Sequence, residues 1–227
     1  METFFTIFVS GVFKKLLLIK MSKLKEIIHQ VSLLFLEFGI KSMTMDDIAK
    51  SLRISKKTLY KYVNDKNDLV YKVMDELIQL KQQQLETLCK EKPHPIDELI
   101  IMIEFSGQEV SMIHPSVQYD LKKYYKESWN LFEIHKQDFI YSCMLNNLEK
   151  GIKLGVYRKN MDPSIIARIY SSKADLVFDS DLFPPDQYEF KNILNEMMRH
   201  HIRGIATEKG IKYLKEQLKN DNKTSLI

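Results

Sequence analysis

Apolar residues recur at helical spacing in the first part of the chain. One helical face is apolar between residues 23 and 38, at positions 24, 27, 28, 31, 34, 35 and 38. Gly39 follows as a helix stop. Thr44 can then cap a second helix, because Asp46 and Asp47 place negative charge in its first turn. The pattern therefore predicts two helices joined by a short loop.

A third and a fourth helix follow closely. Ser55 can cap a third helix that reaches Val63, with Leu59 and Val63 facing inward. Asp65 or Lys66 opens the fourth helix. Its apolar stripe consists of Leu69, Val70, Val73, Leu77 and Leu80.

The second part of the chain is also predicted to be helical. The fourth helix reaches about Lys90, and Pro93-His94-Pro95 then breaks the chain, which predicts a domain hinge there. Later helical stretches cover residues 96–113, 115–125, 127–153, 163–179, 186–206 and 208–220. No segment alternates in the manner of a strand, and the chain has only 7 Gly and 6 Pro in 227 residues. The predicted fold class is therefore all-α, with about nine helices in two domains.

The predicted domain boundaries follow these breaks. They give an extra segment at 1–20, a helix-turn-helix domain at 21–66, a connecting helix at 67–92, a larger helical domain at 93–220 and a flexible tail at 221–227.

Residues 1–20 match neither a secretion signal nor a membrane span. Lys14-Lys15 interrupts their apolar runs, and Glu2 stands where a signal peptide carries positive charge. Met21-Ser22 opens the first amphipathic helix, so we interpret the segment as a mis-assigned translation start or a mobile arm. Attachment to a membrane through this segment is the alternative.

Positive charge is concentrated near the start of the chain. The net charge of the whole chain is +4, whereas residues 22–66 alone hold nine Lys/Arg against five Asp/Glu. Residues 53–63 contain four cations and no acid. Such a patch is typical of phosphate binding, although a solvated charged face has the same composition.

The basic patch coincides with a helix-turn-helix pattern at residues 44–63. Two short helices joined by Arg53-Ile54 let the second enter the major groove while the first contacts the backbone. A pair of short structural helices is the plainer interpretation of the same spacing. The outward positions that could contact bases are Lys56, Lys57, Thr58, Tyr60 and Lys61.

Three motifs in this region resemble the TetR (tetracycline-repressor-like) family of transcriptional regulators. They are Thr44-Met45-Asp46-Asp47-Ile48-Ala49, then Ser55-Lys56-Lys57-Thr58-Leu59-Tyr60-Lys61-Tyr62-Val63, and Lys66-Asn67-Asp68-Leu69. The likeness covers roughly residues 24–72. The later segment from Gly151 to Arg158 is similar to the break between helices seven and eight of that family.

The resemblance implies a homodimer in which the small N-terminal domain reads DNA and the larger domain binds a ligand. The five outward residues would lie over bases, and Thr44, Tyr62 and Lys66 would hold phosphates. Arg53 departs from the family, because this turn often has Gly and a positive φ would strain any other residue. Lys57 and Lys61 replace a Gly and an aromatic residue, so the operator cannot be copied from a relative.

The larger domain is rich in Met and aromatic residues, which line apolar cavities but more often fill ordinary cores. The predicted ligand-pocket residues are Phe105, Met112, Tyr125, Trp129 and Met144. The stretches 163–179 and 186–206 form the dimer interface that the resemblance implies. Its predicted apolar residues are Ile165, Ile166, Ile169, Tyr170, Ile193, Leu194, Met197 and Met198.

These features predict a cytoplasmic, ligand-responsive and sequence-specific transcriptional regulator, a repressor that a small, largely apolar effector releases from a near-palindromic operator. No cofactor, metal or enzymatic activity is expected, since the sequence has no Gly-rich phosphate loop, Zn-spaced Cys/His set or nucleophile elbow. Cys89 and Cys143 form no disulfide framework, which fits a reducing compartment. The alternative is a helical ligand- or partner-binding module, associated with a membrane through residues 1–20, that binds no specific DNA.

Overall fold

Helices form throughout the part of the chain that the structure, a computed structural model, describes: residues 22–91, 94–110, 116–173, 176–179, 182–184 and 186–220. The all-α prediction is confirmed for these residues, in which Tyr157 and Ala206 make an isolated β-bridge. The predicted N-terminal segment 1–20, the tail 221–227 and Met112 lie outside the described residues.

The α-helices span α1 Lys23–Phe38, α2 Met45–Ser51, α3 Lys56–Leu59, α4 Lys66–Glu91, α5 Pro95–Val110, α6 Ser116–Tyr124, α7 Lys126–His135, α8 Tyr141–Lys153, α9 Pro163–Lys173, α10 Phe190–Ile205 and α11 Glu208–Asn220. A π-helical turn, Lys136–Ile140, joins α7 to α8, so the stretch predicted at 127–153 is two helices with a wider turn between them. A 3₁₀ turn, Leu176–Phe178, follows α9.

The chain divides into two compact units. The first consists of residues 22–76 together with residues 116–125, and the second consists of the described residues of 77–110 and 126–220. The sequence-based boundaries instead placed residues 116–125 in the second domain. The reason for the difference is a long-range contact, since the Asp120 carboxylate on α6 accepts a hydrogen bond from the backbone N–H of Lys41 at 2.9 Å.

The core of the first unit comes from the apolar stripes of its first helices. Ile27, Val31 and Phe35 of α1 are buried, as are the α4 residues Leu69 and Val70. Gly39 ends α1 with a φ of 82°, a conformation that glycine adopts without steric cost. The helices predicted from the apolar spacing therefore pack on the faces that the spacing indicated.

The second unit packs around α8. This helix contacts α5 and α9, and α5 also contacts α10 and α11. The fully buried side chains at the centre of this unit are Leu99, Met144, Leu148, Tyr157, Met198 and Ile202.

A tight turn follows α8. Tyr157 folds back over this helix, and its ring occupies the space in which a Cβ on Gly151 would lie. The Gly151–Arg158 segment that the sequence singled out is therefore a close-packed turn.

In the described part of the chain, no helix combines the length and the apolar character that a membrane span needs.

Candidate DNA-binding surface

The first helix of the helix-turn-helix, α2, begins where the sequence predicted. The Thr44 hydroxyl oxygen accepts a hydrogen bond from the backbone N–H of Asp47 at 3.2 Å, and the Asp47 carboxylate accepts one from the backbone N–H of Thr44 at 3.1 Å. These reciprocal bonds form a capping box. The hydrogen bonds from Thr44 hold the pKa of the Asp47 carboxyl below its usual value. Ile48 and Ala49 form the buried face of α2, and they anchor the capped end of the helix to the core of the first unit.

The turn after α2 places a non-glycine residue in the left-handed region. Arg53 has a φ of 55°, while its backbone N–H donates to the Lys50 carbonyl oxygen at 3.0 Å. The next N–H, that of Ile54, donates to the Ala49 carbonyl oxygen at 3.0 Å. The turn therefore needs the positive φ at which the family often has Gly, and Arg53 adopts it at a cost of about 1–2 kcal/mol.

The helix expected to enter the groove is shorter than the sequence predicted. Ser55 caps α3, because its hydroxyl oxygen accepts the Thr58 backbone N–H at 3.0 Å, but the last α-helical hydrogen bond is the one from the Tyr60 N–H to the Lys56 carbonyl oxygen. The N–H groups of Lys61 and Tyr62 donate to carbonyl oxygens three residues earlier, which is a tighter, 3₁₀-like pattern. The prediction that the helix continues to residue 63 is therefore wrong.

The early end of α3 has a local cause in the residues that precede α4. The Asp68 carboxylate accepts the backbone N–H of Asn64 at 2.7 Å, and the Asp65 carboxylate accepts that of Asp68 at 2.8 Å. These bonds fix Asn64 and Asp65 as the residues that precede α4, which begins at Lys66, so α3 has no room to continue past Val63. Leu59 and Val63 are both buried, as the sequence predicted.

Four of the five predicted base-contacting side chains lie on the exposed face of this segment. Thr58 is half-buried, and its hydroxyl lies 2.8 Å from that of Ser55, within the cap. Tyr60 is 43% exposed, a large fraction for an aromatic ring in a small domain. The exposed side chains are those of Lys56, Lys57, Tyr60 and Lys61.

The three lysines of this face differ in their surroundings. The Lys56 ammonium lies 3.0 Å from an Asp46 carboxylate oxygen, and this hydrogen bond raises the pKa of Lys56. Both partners are exposed, so the pair is weak and easily exchanged for water or phosphate. Among the described residues, no carboxylate pairs with Lys57 or Lys61. These two cations are therefore the ones most available to DNA.

The predicted phosphate contacts are less uniform. Thr44 is exposed, although its hydroxyl already serves the cap, and Tyr62 is half-buried with its carbonyl oxygen 3.1 Å from the Lys72 ammonium. Lys66 is half-buried, and its ammonium lies 3.4 Å from the Lys41 carbonyl oxygen. Burial lowers the pKa of Lys66.

Sequence reasoning missed a carboxylate that supports this surface. Asp120 is only 4% exposed, and it fixes the loop before α2 through the bond to the Lys41 backbone N–H at 2.9 Å. Ser116 lies at the limit of hydrogen-bond distance from the same carboxylate, at 3.4 Å. The two partners Lys41 and Asp120 are 79 residues apart in the chain, so no local pattern could have paired them.

The predicted ligand-pocket residues belong to different units, and their grouping in one pocket remains a prediction. Tyr125 belongs to the first unit, where its ring lies 6.0 Å from the Lys66 ammonium. Phe105 and Trp129 are half-buried residues of the second unit, and Met144 is completely buried in its core. A separate surface pocket of about 560 Å³ in the second unit is lined by Ala206, Thr207, Glu208, Ile211, Lys212, Lys215 and Glu216.

The predicted dimer residues separate into three groups by exposure. Ile165 and Ile169 on α9 are 56% and 43% exposed, which is unusual for isoleucine and leaves apolar surface available. Leu194 and Met198 on α10 are 6% and 0% exposed, because they fill the core of their own chain. The prediction that these two supply interface surface is corrected accordingly. The remaining four are half-buried: Ile166, Tyr170, Ile193 and Met197.

Comparison with known proteins agrees with this geometry. Residues 27–73 match the family described as bacterial regulatory proteins, tetR family. The resemblance seen in the motifs is therefore confirmed for these residues. An uncharacterized HTH-type transcriptional regulator of Bacillus subtilis (strain 168), YvaF, is 24% identical over 170 residues, which cover 74% of this chain and 87% of that protein.

Solved structures share the fold beyond the helix-turn-helix. A TetR-family transcriptional regulator from Agrobacterium tumefaciens has a TM-score of 0.66 at 16% identity, covering 82% of this chain and 98% of the other. The regulator FadR from Bacillus subtilis, solved in complex with stearoyl-CoA, has a TM-score of 0.62 at 18% identity, covering 81% and 100%. At this level of identity the likeness shows the fold, a helix-turn-helix unit followed by a larger helical unit.

Proposed function

We propose that this chain, whose residues 27–73 match the tetR family of bacterial regulatory proteins, is a ligand-responsive transcriptional repressor that binds a near-palindromic operator as a homodimer. It acts in the cytoplasm, where the bacterial chromosome lies, and it works by binding rather than by catalysis.

One observation carries the proposal: the segment after Ser55 combines a capped start, a buried inner face and an exposed basic outer face. Leu59 and Val63 fix it to the core, while Lys57 and Lys61 extend from the other side. Tyr60 lies between them in sequence and is exposed. This arrangement suits entry into the major groove, where lysines donate to guanine and a few side chains read the bases.

Dimerisation follows from the need to read a site long enough to be selective. A single short helix reads only a few bases, whereas two copies about 34 Å apart read half-sites one helical turn apart. The exposed isoleucines of α9, Ile165 and Ile169, give the second unit an apolar face of the kind that a symmetric helix pair would cover.

Ligand response needs a connection between the two units, and α4 supplies one in the chain itself. This helix of 26 residues runs from Lys66, in the first unit, to Glu91, in the second. A small molecule that binds one arrangement of the second unit more tightly than another shifts the population of α4 positions and thereby the operator affinity. The abundance of Met and aromatic residues in the second unit favours a largely apolar effector.

The test is selection of bound sequences from random duplex DNA by the full-length protein, followed by affinity measurements on the selected site. We expect a palindromic consensus and a loss of about 1–3 kcal/mol of specific binding in Tyr60→Ala. Tyr71→Ala is the matched control, because Tyr71 is another exposed tyrosine of the same unit, on α4. A protein that selects no sequence, or equal affinities for both variants and the wild type, would overturn the proposal.

The effector can be sought with the same selected site. Apolar and amphipathic small molecules are screened for release of the labelled operator, and any hit is checked for direct binding by calorimetry. A compound that binds without changing operator affinity contradicts the coupling through α4.

A further inference from the structure

We propose that a lysine–tyrosine patch on the first unit, formed by Lys41, Tyr119, Lys123 and Tyr124, binds DNA backbone phosphates next to the half-site that α3 reads. This inference rests on the proposed DNA-binding function and adds a second contact surface, contributed by helix α6 from the middle of the chain.

The four side chains of the patch touch one another. The Lys41 ammonium lies 2.8 Å from the Tyr124 hydroxyl and 4.0 Å from the centre of the Tyr124 ring. The Lys123 ammonium lies 2.5 Å from the Tyr119 hydroxyl and 5.4 Å from the Tyr124 ring. The two tyrosine rings meet edge to face at 6.4 Å. The patch is therefore one connected surface rather than a set of scattered side chains.

The patch is exposed and keeps its positive charge. Tyr119 and Tyr124 are 56% and 39% exposed, and both lysines are exposed as well. In the described part of the chain, Lys41 and Lys123 are held by phenol groups and aromatic faces, and no carboxylate pairs with either. The hydrogen bond to Tyr119 raises the pKa of Lys123, so its charge persists at any physiological pH. Two uncompensated cations on a rigid aromatic support are well suited to anionic oxygens.

The patch is continuous with the predicted phosphate contacts. The Lys41 carbonyl oxygen accepts a hydrogen bond from the Lys66 ammonium at 3.4 Å, and Lys66 begins α4. Thr44, the cap of α2, follows Lys41 by three residues. We therefore expect a DNA strand held by Thr44 and Lys66 to come within reach of Lys41 and of the α6 side chains in contact with it. This continuity favours DNA over an acidic protein as the partner.

Asp120 fixes the patch in place. Its carboxylate is buried and accepts the backbone N–H of Lys41 at 2.9 Å, so the loop that carries Lys41 is tied to the helix that carries Lys123 and Tyr124. Phosphate contacts made by preordered side chains cost less entropy than contacts made by mobile lysines.

The experiment compares two double variants of equal charge change. Lys41→Gln with Lys123→Gln removes the patch cations, and Lys90→Gln with Lys153→Gln removes two exposed cations of the second unit. Operator affinity is measured over a range of salt concentrations, on the minimal selected site and on the same site extended by about one helical turn at each end. All four lysines are exposed, so we expect the variants to fold, and circular dichroism checks this.

We expect the patch variant to flatten the plot of log Kd against log salt by about 0.9 per lost contact, hence by about 3–4 for the four lysines of a dimer. The wild type should bind the extended duplex more tightly than the minimal one, and the patch variant should lose this advantage. Restoring charge with Lys41→Arg and Lys123→Arg should recover the slope. Control and wild type should behave alike.

A patch variant whose salt slope and length dependence equal those of the control would overturn the inference while leaving sequence selection intact. The reverse outcome is also distinguishable, because the salt slope can be read on any duplex. One outcome is that the wild-type protein selects no sequence, while the patch variant binds non-specific DNA more weakly than both the wild type and the control. This outcome contradicts the proposed repressor function and supports the patch. Strong binding of the wild type to an acidic polypeptide but not to DNA would contradict both.

Discussion

The two units of this protein keep their polar side chains in different places. In the first unit, the caps of the helix-turn-helix join residues three positions apart, such as Thr44 with Asp47 and Ser55 with Thr58, and they lie at the surface. The buried Asp120, whose partner Lys41 is 79 residues away, is an exception in this unit. In the second unit, the key polar groups are buried and their partners are distant in sequence. The Asn147 amide donates to the Pro95 carbonyl oxygen, 52 residues away, at 2.7 Å.

The buried network of the second unit extends further. The same amide lies 3.1 Å from a Glu98 carboxylate oxygen, and the Tyr157 hydroxyl donates to the Asn147 carbonyl oxygen at 3.0 Å. Lys150 closes the network at 2.6 Å from the other Glu98 oxygen. Short-range bonds can be read from a motif, whereas this network depends on the fold. The difference implies that substitutions affect the two units on different scales.

The largest effect is expected at the centre of the network. Asn147→Leu should lower the free energy of unfolding by about 3 kcal/mol, because it leaves the buried Glu98 carboxylate and the Tyr157 hydroxyl without their shared partner. Asn146→Leu is the control, since this neighbour on α8 is exposed and should change stability by less than about 0.5 kcal/mol. Urea unfolding measures the loss of stability in each variant. Equal losses would show that the buried hydrogen bonds of Asn147 do not stabilise the fold.

A somewhat smaller effect is expected where Tyr157 covers α8. A Cβ on Gly151 would lie 1.9 Å from the Tyr157 ring, so Gly151→Ala must displace a buried side chain and should cost about 2 kcal/mol. Gly204 lies in α10 with open space around it, so Gly204→Ala should be neutral or stabilising by up to about 1 kcal/mol. Thermal unfolding compares the two variants. An unchanged stability of Gly151→Ala would contradict the close packing of the Tyr157 ring against Gly151.

These contrasts explain how far the sequence could predict the structure. The start of α2, the buried positions Leu59 and Val63, and the start of α4 were predictable, because caps and apolar spacing act over a few residues. The premature end of α3 was not, since it depends on competition from the cap of the next helix. Leu194 and Met198 were assigned to a dimer surface because an apolar stripe has the same spacing whether a neighbour in the same chain or a second chain covers it.

The candidate site follows the same rule. The exposed positions of Lys57, Tyr60 and Lys61 were predicted from the outward face of one short segment. Asp120 and the patch on α6 were missed, because they approach the first unit from the middle of the chain. The pocket residues remain a prediction, since a Met or aromatic residue carries no signal that distinguishes a cavity wall from a filled core, and Met144 fills the core.

The stability of the second unit should depend on pH through the half-buried His135, and this effect should be intermediate in size. Burial, assisted by the positive charge of Lys81, lowers the pKa of His135 in the second unit to about 4, whereas an unfolded histidine titrates near 6.5. Above about pH 6.5 both states are neutral and the full stability is present. Between about pH 6.5 and 4 only the unfolded chain takes up this proton, so stability falls as the pH falls, by about 1–2 kcal/mol for a partly buried ring.

The histidine's contribution can be isolated by substitution. His135→Gln should remove this part of the acid sensitivity, while the control His200→Gln, at an exposed position, should leave it unchanged. Urea unfolding at several pH values in this window measures the slope. Identical slopes in the wild type and His135→Gln would assign the acid sensitivity to other groups.

The smallest effect, and the only one expected to stabilise the first unit, concerns Arg53. Its φ of 55° costs a residue with a Cβ about 1–2 kcal/mol, whereas glycine adopts it freely but loses more chain entropy on folding. Arg53→Gly should therefore raise the free energy of unfolding by about 0.5–1 kcal/mol. Lys50→Gly, three residues earlier in α2, should lower it by a similar amount, because there the backbone is helical. Urea unfolding of both variants measures these changes. A gain in Arg53→Gly together with a loss in Lys50→Gly would show that the backbone conformation at Arg53 limits the stability of the first unit. A loss in both variants would mean that Arg53 makes a contribution that outweighs its strain.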